Sequence, residues 1–485
     1  MDALADWTDP LRWAELEFGQ ARLGDARRTK RLVAVAAAAA ARPDGRITAV
    51  FADGAGRQGA YGLLANAEVT AEAVLASAAA AAVRRASGEP FAFVPVDGSS
   101  VRLADRAARK GTGPLGRHGR SGRGLQHLAA LVVTPDGVPQ GVCAQRFWAR
   151  PEPEPRPRGF RRWGPAARRR WAERRRAARK RRPAARKESA LWAELLAAVG
   201  AAFAAHGDGV VPWPQLDRGA DLGSLLAAAA SGGTLLTVRA GQLRRRLADG
   251  RTLDEASARA PRLGAHWLEV PARPGRPARR AHVAVRAAAV RLRASAAPLW
   301  VVVAEEVSAV AAGQAPLRWV LWTTYPAETL AAAALVLDGY GCRWRVEDFF
   351  RALKRGGCEL ERTQLRRPER VRTWAAILSS VAMRVARLTH LARTDPQQPA
   401  DRELTRDELD ALILLHRPAG WRPGETPTLG QAMRWVGVLG GHSGLPSAPP
   451  AGATVLGRGL ERVAIAAEVL RAQREQLGLE LVPKK

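Results

Sequence analysis

Four residues of unlike chemistry stand on one stretch of the chain: Tyr340, Arg343, Glu347 and Lys354. Read as one helix, their spacing projects all four within about 60° of one another. An acid beside a guanidinium, an ammonium and a phenol can bind phosphate through its cations and hydroxyl while the carboxylate takes a cation. Val346, Phe349, Phe350 and Leu353 fall mostly on other faces and can pack on a core, and Gly356-Gly357 is a natural stop. An amphipathic surface helix with solvated charges is the competing reading. Composition argues against it, because the chain has only seven lysines and three tyrosines, and one of each joins the stripe.

Length and charge bound the class. With 485 residues the chain can bury a large core and hold two or three domains. Hydrophobic content of 47% with 25% charged residues argues against wholesale disorder. Cys143, Cys342 and Cys358 fit neither a disulfide framework nor a cysteine-based zinc site, so a reducing cytoplasm is expected. The N-terminus lacks a basic region followed by an apolar one, and apolar runs such as 32–41 are too short to span a bilayer. A soluble, unexported protein is expected. The net charge of +30 calls for a polyanionic partner, and nucleic acid fits better than a membrane. A GC-rich genome would explain arginine over lysine, but not the excess of bases over acids.

Tyr-x2-Arg-x3-Glu-x6-Lys, here Tyr340, Arg343, Glu347 and Lys354, resembles the signature of bacterial cut-and-paste DDE transposases of the insertion-sequence-four family, which includes the transposase of transposon five. The resemblance implies an α/β fold: an RNase H-like, retroviral-integrase-type catalytic core with a β-rich insertion, flanked by helical N- and C-terminal domains. The expected division is 1–70 for recognition of DNA ends, 71–393 for the core and 400–485 for dimerisation.

Taken in order, the elements fit that expectation. Asp25 is a plausible N-cap for a helix with Arg27, Arg28, Lys30 and Arg31 in its first turns, where positive charge opposes the helix dipole and suits phosphate contact. Leu23-Gly-Asp-x-Arg-Arg-Thr and Gln58-Gly-Ala-Tyr61 resemble the family's end-recognition domain. The apolar run 91–96 ends at Asp97; Asp-Gly alone reads as a turn pair, and by resemblance Asp97 is the first catalytic acid. Residues 125–148 read as a hairpin about Pro135-Asp-Gly137. Between Arg161 and Lys187 lie 14 basic residues and one acid, Glu173, after a Pro-rich spacer. This segment resembles an insertion, and either an extra phosphate clamp or a disordered basic loop fits it. A helix over 189–206 should turn Trp192 and Leu195 inward.

By resemblance Asp217 is the second acid, in Asp217-Arg218-Gly219-Ala220-Asp221, where Gly219 replaces the family's acid. Pro212 and Pro214 are expected to interrupt the strand before it. Arg239 has the separation of a DNA-contacting arginine, and Trp319 the position of a tryptophan that holds a flipped base. Runs 234–239, 282–286, 299–304 and 318–324 read as strands of the β-rich insertion over 234–325. A long helix over 371–393, a linker over 394–400 and further helices complete the chain.

The resemblance implies that Asp97, Asp217 and Glu347 form an oxygen-only site for Mg2+, with Mn2+ as a substitute, that Tyr340, Arg343, Lys354, Trp319, Arg239, Arg27, Arg28 and Lys30 contact DNA, and that a homodimer bridges two transposon ends before joining target DNA. No Walker or GxGxxG loop suggests a nucleotide cofactor. A DNA-binding derivative without catalysis is the main alternative, and an RNase H-like nuclease without end specificity a third.

Overall fold

The computed structural model describes residues 10–105, 110–116, 122–152, 157–180, 188–271, 278–295, 297–310, 315–445, 448 and 450–477. Five helices lead: α1 (Pro10–Phe18), α2 (Ala26–Ala41), α3 (Ile47–Val50), α4 (Gly54–Ala65) and α5 (Ala71–Arg84). Strands β1 (Phe91–Arg102), β2 (Gly113–Pro114), β3 (Arg123–Val133) and β4 (Pro139–Trp148) follow, then α6 (Pro165–Lys180) and α7 (Glu188–His206). Next come β5 (Val211–Leu216), α8 (Gly223–Ser231), β6 (Thr237–Arg239), α9 (Leu253–Arg259), β7 (Arg262–Val270), β8 (Arg279–Val290), β9 (Leu299–Glu306) and β10 (Arg318–Thr323). The chain closes with α10 (Leu330–Gly341), α11 (Trp344–Lys354), α12 (Pro368–Thr394), α13 (Arg406–His416), α14 (Leu429–Leu439) and α15 (Ala453–Leu477).

The ten strands make one sheet in the order β2-β3-β1-β5-β6-β10-β9-β8-β7, with β4 pairing β3. β5 runs parallel to both β1 and β6, and β3 and β10 are antiparallel to their neighbours. The strands of the β-rich insertion therefore continue the core sheet through the β6–β10 pairing rather than standing apart from it. β7, which the sequence reading missed, is its far edge.

Alternation assigns the two faces. Phe93, Trp213, Trp319 and Leu321 point into one core with α2, α10, α11 and α12, whereas Val94, Val96, Leu216, Val238 and Trp322 meet α7, α8 and α9 in another. Gly339 is required where α10 crosses β1, since a Cβ there would stand 2.3 Å from the Phe93 ring. The N-terminal helices share the first core with α12. Asp25 caps α2 by accepting from the Arg27 N–H at 2.8 Å.

Several expectations need correction. The proline-bearing strand is intact. Pro212 and Pro214 lie opposite Ala92 and Val94, and the odd-numbered neighbours supply the donors toward β1, as the Val211 N–H to Pro90 carbonyl bond illustrates. β6 reaches β5 only at Gln215 and Leu216, so the missing proline N–H groups face a side without a partner strand. Asp97 is not at a turn either, because β1 continues to Arg102 against β3. The stripe does not lie on one helix: α10 ends at Gly341, and α11 starts after Arg343 through a tight turn in which Arg343 N–H bonds the Tyr340 carbonyl. The basic insertion contains a helix, α6, while 181–187 lie outside the described residues. The expected linker over 394–400 is short and tied down, since Pro399 bridges Thr428.

A buried histidine supplies a pH test. His127 is fully buried, stacks on Phe147 at 3.9 Å and meets Gln145 Oε1 at 3.1 Å. Burial lowers its pKa to about 3. The unfolded chain therefore binds the extra proton between about pH 6.5 and 3, and stability present above that range is lost as pH falls through it. His127→Gln should flatten the slope of unfolding free energy by about 1.4 kcal/mol per pH unit between pH 6 and 4, measured by urea denaturation.

Candidate active site

Adjacent parallel strands bring two acids to one place. Val96 pairs with Leu216, so Asp97 and Asp217 are the next residues on β1 and at the end of β5. Alternation turns both toward the face covered by α10 and α11. Glu347, in the first turn of α11, faces them with Arg343 between: one guanidinium nitrogen pairs with Asp97 and the other reaches Glu347 Oε1 at 3.2 Å. Arg343 is 8% exposed. Burial pushes the Asp97 carboxyl above the ordinary range; Arg343 opposes this, and the charges of Asp217 and Glu347 add to it.

Local bonds hold each group. The Asp97 carboxylate accepts from the Gly98 N–H at 2.7 Å. Asp217 caps a short 3-10 turn, Arg218–Ala220, by accepting from the Gly219 N–H at 2.8 Å. A Cβ on Gly219 would stand 2.9 Å from that carboxylate, so glycine permits the close approach. Asp221 serves the scaffold: it is buried, pairs with Arg245 at 2.7 Å and accepts from Gly241 and Gln242 N–H groups. Lys354 donates to Ser99 Oγ at 2.7 Å, which anchors the far end of α11 two residues beyond Asp97 on the same face of β1. Burial lowers the Lys354 pKa.

Tyr340 joins the cluster in spite of the helix break. The Arg343 guanidinium lies over its ring at 5.9 Å, and burial raises its pKa against the nearby charges of Arg343 and Arg239. Burial lowers the pKa of Arg239, which also donates to the Arg318 carbonyl at 3.2 Å. Asp97, Asp217, Glu347, Tyr340, Arg343, Lys354 and Arg239 thus share one neighbourhood. Trp319 lies beside it but is 1% exposed, packed edge-on against Tyr340 at 4.8 Å and Trp344 at 5.6 Å. Here the ring occupies a core position, and a base would reach it only if those neighbours moved. Arg27 and Lys30 are exposed on α2, with Arg27 paired to Asp25 at 3.1 Å and Arg28 donating to the Leu23 carbonyl.

Ser99 and Arg351 were missed in the sequence. Arg351 lies 3.5 Å from Glu347 and pairs with Asp348 at 2.8 Å. The spacing of Arg351 four residues after Glu347 was a readable signal, whereas nothing local marks Ser99.

Among the described residues no group of three His, Cys, Asp or Glu side chains is arranged to hold a metal ion as it stands. The donor set fits a hard divalent ion, being oxygen only. The obstacle is geometric: Arg343 bridges Asp97 and Glu347, and Asp217 is turned to Gly219.

A twisted α/β sheet whose central parallel strands deliver two acids to a face met by a third on a helix defines an RNase H-like protein. Residues 10–69 match the family model described as Transposase DNA-binding, and residues 148–383 match the one described as Transposase DDE domain. The chain therefore carries a transposase DNA-binding domain and a DDE transposase domain, with DNA as a partner; together they support a DDE transposase, a nuclease-type enzyme. DDE transposase domains generally use divalent metal ions. The second match contains Asp217 and Glu347 and begins after Asp97. Among the described residues no helix is long and apolar enough to cross a membrane.

Proposed function

We propose that this protein moves an insertion sequence by cut-and-paste transposition of the insertion-sequence-four kind: nicking at the element's ends, hairpin formation, reopening and strand transfer into target DNA. The neighbourhood of Asp97, Asp217 and Glu347 around one buried arginine carries the reading. Residues 1–70 would recognise the end, 71–393 perform the chemistry, and 400–485 contribute to a homodimer in the bacterial cytoplasm that bridges two ends.

In this reading Asp97, Asp217 and Glu347 hold Mg2+, or Mn2+ in its place. Such ions supply activation of a water or 3′-hydroxyl and stabilisation of the leaving oxygen in in-line displacement. The chain's own groups hold the DNA. Arg239, Arg343 and Lys354 offer cations to phosphates near the scissile bond, and Tyr340 offers its hydroxyl. Arg27, Arg28 and Lys30 contact phosphates of the end from α2.

Arg343 also neutralises two of the three acids, so loading of the site requires it to swing toward a phosphate. Arg343→Ala should tighten Mn2+ binding in the absence of DNA about tenfold, read by electron paramagnetic resonance, while lowering strand cleavage. Unchanged or weaker binding would count against this role. Incubation of the protein with its own element's end DNA tests the whole proposal. Nicking and hairpin formation in Mg2+ but not in EDTA are expected. Binding without cleavage in either ion would favour the silent DNA-binding derivative, which rests on Gly219 now that the strand before Asp217 is intact.

A further inference from the structure

One helix of this protein is dense in positive charge and lies outside the sheet. From 165 to 180, α6 carries eight basic residues and one acid, Glu173. Among the described residues it packs extensively against no other helix or strand. Arg169, Arg170, Arg174 and Arg176 are exposed. Such a helix has neither an apolar stripe to bury nor enough acids for supporting i,i+4 pairs.

What holds it is an aromatic staple of its own. Phe160 stands 4.9 Å from Trp171 and 5.4 Å from Trp163, so the segment before the helix folds back on its middle. Arg168 lies over the Phe160 ring at 5.8 Å and Arg175 over Trp171 at 4.7 Å. These two arginines share one side of the helix. The four exposed arginines named above form two ridges, Arg169 with Arg176 and Arg170 with Arg174, the second of them beside Trp163. A helix of 16 residues is about 24 Å long, the span of about seven base pairs.

We infer that α6 and its aromatic staple form a second DNA-binding element that grips the phosphate backbone of duplex DNA without regard to sequence, apart from the N-terminal DNA-binding domain. Charge complementarity selects the occupant. Like charges at i,i+4 and in adjacent turns repel, and a polyanion with closely spaced phosphates relieves that repulsion while releasing counterions. Guanidinium groups pair with phosphate oxygens in two-pronged geometry, which suits arginine at these positions. The inference rests on DNA as the partner.

The test uses the full-length protein and a duplex of random sequence about 30 base pairs long, with affinity measured by fluorescence anisotropy from low to moderate salt. In the variant R169Q/R170Q/R174Q/R176Q the slope of log affinity against log salt should shrink by about 2 to 3, since each lost phosphate contact removes about 0.9. Affinity at low salt should fall at least tenfold. The variant R169K/R170K/R174K/R176K should keep the wild-type slope, which separates lost charge from lost helix. An unchanged slope in the glutamine variant would overturn the inference. So would retained duplex binding with loss of binding to a single-stranded RNA or to polyglutamate. The variant R27Q/R28Q/K30Q separates the two levels of argument: if it weakens binding and the α6 variant does not, the second element fails while the DNA reading stands. A wild-type protein that binds no duplex would instead sink the reading of DNA as the partner.

Discussion

Glu347→Gln should lower end cleavage by about three orders of magnitude while leaving DNA binding intact. The substitution preserves shape, and the amide oxygen can still accept from Arg343, which lies 3.2 Å from Oε1, while the longer 3.5 Å contact of Arg351 to Oε2 is given up. The charge and one of the two oxygens proposed to hold the metal go with it. A thousandfold loss corresponds to about 4 kcal/mol of transition-state stabilisation, within what ligand removal takes from metal-assisted phosphoryl transfer. A gel assay of nicking in Mg2+, run beside anisotropy on the same DNA, measures both halves. Cleavage at the wild-type rate would remove Glu347 from the site and leave Asp97 and Asp217 without their third partner.

The second large effect concerns the joint between the core and the C-terminal helices. Arg387 on α12 is buried and meets Glu403, itself 2% exposed, through bonds of 2.9 to 3.2 Å. One turn earlier Arg384 pairs with Glu408 at 2.7 and 2.9 Å. Arg387→Ala leaves the Glu403 carboxylate buried without its cation and should destabilise the protein by about 3–5 kcal/mol, whereas R387M/E403L should be close to neutral. Denaturant unfolding of the two variants compares them directly. Equal losses would mean that packing volume, not the stranded charge, dominates. The pair fastens α12 to the segment before α13, so weakening it should also loosen the region proposed to dimerise.

Much of the plan was legible along the chain. The helix read over 189–206 with Leu195 inward, the hairpin over 125–148, the Asp25 cap and the long helix over 371–393 match observed elements within three residues, since local patterns of capping, turn residues and periodicity act over a few residues. The resemblance carried by 340–354 singled out Glu347 among 46 acids as the proposed third acid. The single helix drawn through that motif was too simple, because α10 ends at Gly341 and the chain turns through Cys342 and Arg343 before α11 begins.

The sequence by itself determined the basic balance that demands a polyanion, the identities of the acids and cations, and the local elements that carry them. Tertiary structure alone decided which of these meet. Parallel pairing of β1 with β5, more than a hundred residues apart, sets Asp97 beside Asp217, and no local pattern encodes a strand's partner. The same pairing makes Pro212 and Pro214 harmless, since what matters is whether a neighbour needs their N–H groups. Burial of Trp319 against Tyr340 and Trp344, and the bridge from Arg343 to two carboxylates, likewise depend on how α10 and α11 settle on the sheet. Side-chain types are written residue by residue, but proximity between distant residues is a property of the packed sheet and helices.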